Sequence, residues 1–216
     1  MAVAIDTSLN FAYSSSGATS YTRSLTISGS DRYLVVSVLD VAGDTVTGVT
    51  YNGVSMTQLG KINAATSRYL YVYGLANPTT GTNNIVASRS GTTSVFGFGA
   101  INLSGANQTT TPIDATATNN VTSASPTINL TTISDNTAVI VSSSTLNNTL
   151  AASTNLTGLV TDPSFGVSIM ARSTTFPKTP AGTTTYTVTC PSGNTGLIAV
   201  SIAPSSTFTP QAMWFM

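Results

Sequence analysis

The feature that most limits what this chain can become is the steady return of short β-prone runs, each closed by Gly, Ser, Asn or Pro. In TTYTVTC (184–190), Tyr186, Val188 and Cys190 share one face, while Thr185, Thr187 and Thr189 share the other. That is the period-2 pattern of a half-buried strand. RYLVVSVLDV (32–41) is apolar on both faces, with Leu34, Val36 and Val38 on one and Tyr33, Val35, Leu39 and Val41 on the other, so it predicts a central strand covered on both sides. VTGVTYNGVSMTQLG (46–60) places two β-like runs around Asn52-Gly53, the pair a type I′ hairpin turn prefers because both residues tolerate positive φ. RYLYVYGLA (68–76) and SVFGFGAINLSG (94–105) follow, and in the latter Gly97 and Gly99 alternate with Phe96 and Phe98, as on a crowded face where another layer comes close. The second half continues in the same idiom with SPTINLTTI, NTAVIVSSS, FGVSIMARS and GLIAVSIAP. No stretch makes a convincing amphipathic helix; residues 147–159 come nearest. The pattern predicts an all-β chain folded as an antiparallel β-sandwich of jelly-roll type. It reads as one domain over residues 1–204, with 109–120 connecting the halves of that sandwich and an apolar C-terminal tail over 205–216.

Charge narrows the functions such a sandwich can have. Only 6% of the 216 residues are charged, seven Lys plus Arg against seven Asp, with no Glu and no His. Solubility therefore falls to Ser, Thr and Asn, and a net charge near zero removes an electrostatic brake on self-association. Nucleic acid is not an expected partner, because no basic stripe could displace counterions from phosphates. Nor is a membrane: no window approaches the ~18 consecutive apolar residues of a helical span. The opening MAVAIDTSLNFAYSSS lacks the basic and apolar regions of a signal peptide, so synthesis in a cytoplasm is expected.

Without His, the commonest general base and transition-metal ligand is missing, and one Cys builds neither a zinc site nor a disulfide. No phosphate-binding glycine loop is present. Aspartate alone remains for acid–base work. Asp40 and Asp44 in DVAGD are formally a glycosidase-like pair, but a turn in which Asp caps backbone amides accounts better for them. Asp114, Asp135 and Asp162 also lie beside turn residues and read the same way. The expectation is a protein that is not an enzyme, with no catalytic residue, no metal and no cofactor.

Three features have binding rather than catalytic potential. Tyr69, Tyr71 and Tyr73 alternate along one strand and offer a possible carbohydrate-binding platform, against the plainer account that aromatics favour sheets and fill cores. Cys190, sharing its face with Tyr186 and Val188, is expected to be a small buried hydrophobe. The tail is the sharpest signal: Phe208, Met213, Trp214, Phe215 and Met216 crowd five large apolar groups into residues 208–216 without a charge. Burying them yields on the order of 10 kcal/mol, which ordering nine backbones at ~1–2 kcal/mol each nearly cancels. Such a tail binds well only with backbone pairing or in several copies, and is expected to contact a partner or a sister subunit.

Two stretches, RYLVVSVLDVAGDTVTGVTYNGVSMTQLGKI and RYLYVYGLANPTTGTNNIVASRSGTTSVFGFGAINLSGANQTTTPIDATAT, resemble β-sandwich modules of bacteriophage structural proteins and of repetitive bacterial surface proteins. The resemblance covers about 24–118 well and continues more weakly through 127–204. It rests on turn and strand signatures, and so implies architecture more than activity. It implies a phage virion structural protein, either a capsid decoration (cement) protein or a head fibre, on the particle surface. The implied assembly is a homo-oligomer, a trimer favoured, docked on capsid or other virion proteins through the tail. The alternative it implies is a carbohydrate-binding, receptor-binding module of a tail fibre or adhesin.

Overall fold

A computed structural model describes residues 2–41, 43, 45–92, 94–108, 112–146, 149–164 and 166–205. Its first half holds β1 (Ala4–Tyr13), β2 (Ser20–Ile27), β3 (Tyr33–Asp40), β4 (Val46–Tyr51), β5 (Val54–Ser55), β6 (Thr57–Ala65), β7 (Arg68–Ala76), β8 (Gly81–Arg89) and β9 (Phe96–Ser104). Its second half holds β10 (Ile113–Ser123), β11 (Thr127–Thr132), β12 (Ala138–Thr145), β13 (Ala151–Ala152), β14 (Leu156–Thr161), β15 (Ser168–Ser173), β16 (Gly182–Thr189) and β17 (Gly193–Ile202). Every pairing between these strands is antiparallel, and among the described residues there is no helix. The predicted all-β antiparallel sandwich is therefore what forms.

The layering goes beyond one sandwich. Sheet order β1-β9-β3-β7-β6 faces β2-β8-β4-β5 in the first half, and β10-β17-β12-β15-β14 faces β11-β16-β13 in the second. If the β4–β5 hairpin is counted as one strand, both halves follow the same order, first-eighth-third-sixth-fifth against second-seventh-fourth. Each half has its own core, Val36, Tyr71 and Phe98 being typical of the first and Val141, Tyr186 and Leu197 of the second. A third core, with Val35, Val72 and Ile101 from one side and Ile140, Met170 and Val200 from the other, glues the two larger sheets face to face. β3 is thus buried along its whole length between β9 and β7, as its doubly apolar sequence predicts.

The repeat extends to backbone detail. Tyr33 opposes Leu103 at the start of β3 as Ala138 opposes Ile202 at the start of β12. The turns before these strands use Asp31 and Asn136 at φ 50° and 60°, a left-handed conformation that Asp and Asn tolerate best among residues with a side chain. β1 and β10 carry matching register shifts, at Ile5–Thr7 and Ile113–Ala115, and the residue inside each is an aspartate. Asp6 accepts from the Ser28 amide (3.0 Å), the Ser28 hydroxyl (2.6 Å) and the Asn102 amide group (3.0 Å). Asp114 accepts from the Ile133 amide (2.8 Å), the Ser134 amide (2.9 Å) and the Ser201 hydroxyl (3.3 Å). One bulged aspartate per half therefore ties the first strand to the turn ahead of the third.

Two sequence expectations change here. Residues 109–120 do not form a connection throughout, because β10 begins at Ile113 and runs to Ser123 beside β17. The stretch nearest to a helix, 147–159, contributes β13 and the start of β14 instead. Asn155 turns the chain at φ 62°, and the buried Leu156 pairs with Ser173.

At the seam the larger sheets approach closely through glycine. A Cβ on Gly60 would lie 2.8 Å from Cγ2 of Ile198, and one on Gly99 would lie 2.6 Å from Cγ1 of Val160. The crowded face predicted at Gly97 and Gly99 is thus found, and at Gly99 the approaching layer is the other half of the molecule.

Candidate functional site

The tyrosine strip does not present a stacking surface. Tyr71 and Tyr73 are 1% and 4% exposed and belong to the first core, with half-buried Tyr69 packed against it. The reason lies in the register of β7: its odd positions face the smaller sheet β2-β8-β4-β5, so the rings fill the sandwich and stack along it, Tyr71 on Tyr73 with centroids 6.4 Å apart. Lys61 closes the outer side, its Nζ 4.8 Å from the Tyr69 centroid and 5.2 Å from that of Tyr71. Cys190 is buried, as expected, on the face it shares with Tyr186 and Val188.

The aspartates hold structure. Asp114 and Asp162 cap backbone amides, as their turn contexts predict, and Asp135 accepts from the Ala181 amide. Asp40 departs from its expected place in a turn. It ends β3 in the interior, 3.0 Å from the Arg89 guanidinium, with both side chains fully buried. Arg89 also donates to the carbonyls of Ala18 and Ser94 and lies over the Phe96 ring. Asp44 lies outside the described residues. Among the described residues no cluster of three or more His, Cys or Asp side chains could hold a metal.

A second polar group spans the seam. The Tyr13 hydroxyl donates to Asp162 at 2.7 Å, Asp162 accepts from the Ser164 and Val167 amides, and Arg68 donates to the Thr145 carbonyl at 2.6 Å. Burial raises the Tyr13 hydroxyl above the ordinary tyrosine value, and its bond to Asp162 adds to this. Burial lowers Arg68, against the opposing charges of Tyr13 and Asp162. A tyrosine so shifted keeps its proton, so this group clasps the halves rather than exchanging protons.

The opposite end of the molecule brings the described chain ends together. Ser205 donates its amide to the Gly105 carbonyl (2.7 Å), Asn107 to Ala203 (2.8 Å), and Ala203 to Pro112 (2.8 Å). A Cβ on Gly105 (φ 70°) would lie 2.5 Å from the Ala2 carbonyl oxygen. Beside this pole, where the halves meet, a groove of about 480 Å³ is lined by Tyr33, Leu59, Leu75, Ala76, Pro112 and Ile113. It carries no charge, and burial pushes the Tyr33 hydroxyl up to about 12. On the outer face of β4 and β8 lies a second depression of about 380 Å³ lined by neutral Thr50, Asn52, Thr82, Asn83 and Asn84. Sequence reading missed the groove, although the related triplets Ala4-Ile5-Asp6 and Pro112-Ile113-Asp114 mark the two bulged strands between which the repeat runs.

The residues singled out for partner binding, Phe208, Met213, Trp214, Phe215 and Met216, lie outside the described residues, but the chain enters their segment from Ser205 at this pole. Compared with protein-family models, with curated proteins and with solved structures, the chain finds no match.

Proposed function

We propose that this chain is a non-enzymatic structural protein of a bacteriophage virion, a capsid decoration (cement) or head-fibre-type protein. It docks through its C-terminal segment and presents its sandwiches outward. In this reading each half is a jelly-roll variant whose fifth strand has joined the larger sheet. The chain works as a homo-oligomer, a trimer favoured, made in the host cytoplasm and carried on the particle surface against capsid or neighbouring virion proteins.

The observation that supports this best is the root of the segment. β17, which leads into it, is paired on both sides by β10 and β12 and covered by a core on each face. A pull on residues 206–216 is therefore carried by a central strand rather than a frayed edge. The outer faces suit a particle surface: Thr127, Asn129 and Thr131 of β11 and Ser20, Thr22, Ser24 and Thr26 of β2 point to solvent and are uncharged. Such a surface has few ion pairs for salt to screen.

Binding to shells of the virus that carries the gene tests the reading. The intact chain is expected to co-sediment with the shells, and a folded chain ending at Ser205 to stay in the supernatant. Equal co-sedimentation of both would refute attachment through the segment.

A further inference from the structure

The two-fold repeat exposes a difference at the groove. Leu59 sits at the register shift between Gln58 and Gly60 as Leu159 sits between Gly158 and Val160, and Ile113 of β10 matches Ile5 of β1. Leu59, Ala76 and Ile113 pack on the shared core and line the groove; Leu159, Ile5 and Phe176 pack on the same core. The chain leaves β7 directly, and Asn77 donates its amide to Arg32 just ahead of β3. In the second half the equivalent bond, Lys178 to Thr137 ahead of β12, comes only after Thr174, Thr175, Phe176 and Pro177. That longer passage delivers Phe176 onto the core, beneath the Arg172 guanidinium 5.2 Å from its ring. The first half has Ala76 there and carries its aromatic on β3 instead, where Tyr33, at the position matching Ala138, lies over Gly74 and lines a groove that stays open beside it.

We propose that this groove seats the chain's own residues 206–210, with Phe208 packed against its apolar wall of Leu59, Leu75 and Ile113. The wall suits an apolar side chain: it is uncharged, with a leucine at a bulge and an isoleucine before an aspartate. Reach favours the segment's near end. Ala203 is hydrogen-bonded to Pro112, which lines the groove, and Phe208 follows Ser205 by three residues, a span of up to about 10 Å before its own side chain. Size favours a partial seat: about 480 Å³ is near the lower end of the roughly 300–1,000 Å³ range of small-ligand pockets. The groove thus takes one of the segment's five large groups, Phe208, leaving Met213, Trp214, Phe215 and Met216 for a partner. Tethering favours the same chain over a second copy, because a short linker holds its end at an effective concentration on the order of mM. This goes beyond the attachment reading and can fail independently of it.

Thermal melting of full-length variants at several protein concentrations is the test. Phe208→Ala and, separately, Thr57→Arg at the exposed rim of the groove should each lower Tm by on the order of 5 °C, while Trp214→Ala leaves it unchanged. The Phe208→Ala/Thr57→Arg double variant should melt no lower than the worse single one. An unshifted Tm for Phe208→Ala overturns the proposal, as does additivity of the pair or an equal loss from Trp214→Ala. A loss that appears only at high concentration overturns it in favour of a second copy's segment. Shell binding separates the readings: if Phe208→Ala melts lower as expected while a chain ending at Ser205 binds shells as well as the intact chain does, attachment fails while the groove result stands.

Discussion

The two halves share a strand order, a bulged aspartate and a left-handed turn residue, yet they fill that plan differently. The first core is aromatic, with Tyr51, Tyr71, Tyr73, Phe96 and Phe98, and it encloses the Arg89–Asp40 ion pair. The second is mostly aliphatic, with Tyr186 as its aromatic among the described residues. At the seam the contrast becomes reciprocal. Gly60 of the first half receives Ile198 of the second, while Val160 of the second, at the position matching Gly60, is received by Gly99 of the first, at the position matching Ile198. The lesson is that bulges and turns fix this topology, whereas core volumes need only be complementary, each glycine being answered by a branched side chain across the seam.

The largest break in the comparison should come at Asp40. Removing its partner with Arg89→Ala leaves a charge in the interior and is expected to cost about 3–5 kcal/mol in chemical denaturation. At the matching position Thr145 makes a single side-chain bond to the Asn194 carbonyl, and Thr145→Val should cost only about 1 kcal/mol. Equal losses would mean that the ion pair is not the distinctive support of the first half.

The glycine exchange comes next. Gly60→Val should destabilise by about 1–3 kcal/mol through overpacking against Ile198, and Ile198→Gly in the same chain should recover part of that loss by reproducing the arrangement at Val160 and Gly99. A double variant no better than Gly60→Val would show that the seam is not reciprocal.

Smaller effects sharpen the comparison. Asp6→Asn and Asp114→Asn should each cost about 1–2 kcal/mol, since each loosens several hydrogen bonds to a charged acceptor. Burial raises the Asp6 carboxyl, but the Ser28 hydroxyl and amide, Asn102 and the Arg32 charge outweigh it, leaving the carboxyl below its ordinary value. Its contribution is therefore complete above the unfolded value of ~3.9 and is lost as pH falls through the lower folded value. The stability gap between wild type and Asp6→Asn should accordingly close in acid, and a gap that widened there would contradict the clamp. Last, Tyr13→Phe should cost about 1 kcal/mol by freeing Asp162 of one donor at the seam.

Much of the fold was legible because strands announce themselves locally. RYLVVSVLDV, the Asn52-Gly53 hairpin and TTYTVTC each carry their own period. The pairing of the halves was less visible, because the repeat survives in short tokens: Ile5-Asp6 and Ile113-Asp114, Leu25-Thr26 and Leu130-Thr131, Asp31 and Asn136. The tyrosines misled as candidates because alternation shows that they share a face, not whether that face is covered. That depended on β2, β4, β5 and β8, which fold over it from elsewhere in the sequence. The groove was hidden for a similar reason, since it arises where residues 57–76 of one half meet Pro112 and Ile113 of the other.

Attachment through the C-terminal segment is tested most directly by light-scattering mass, measured side by side for the full chain and for a chain ending at Ser205. The account predicts an oligomer for the full chain and a folded monomer for the shorter one. The same monomeric mass for both would contradict it.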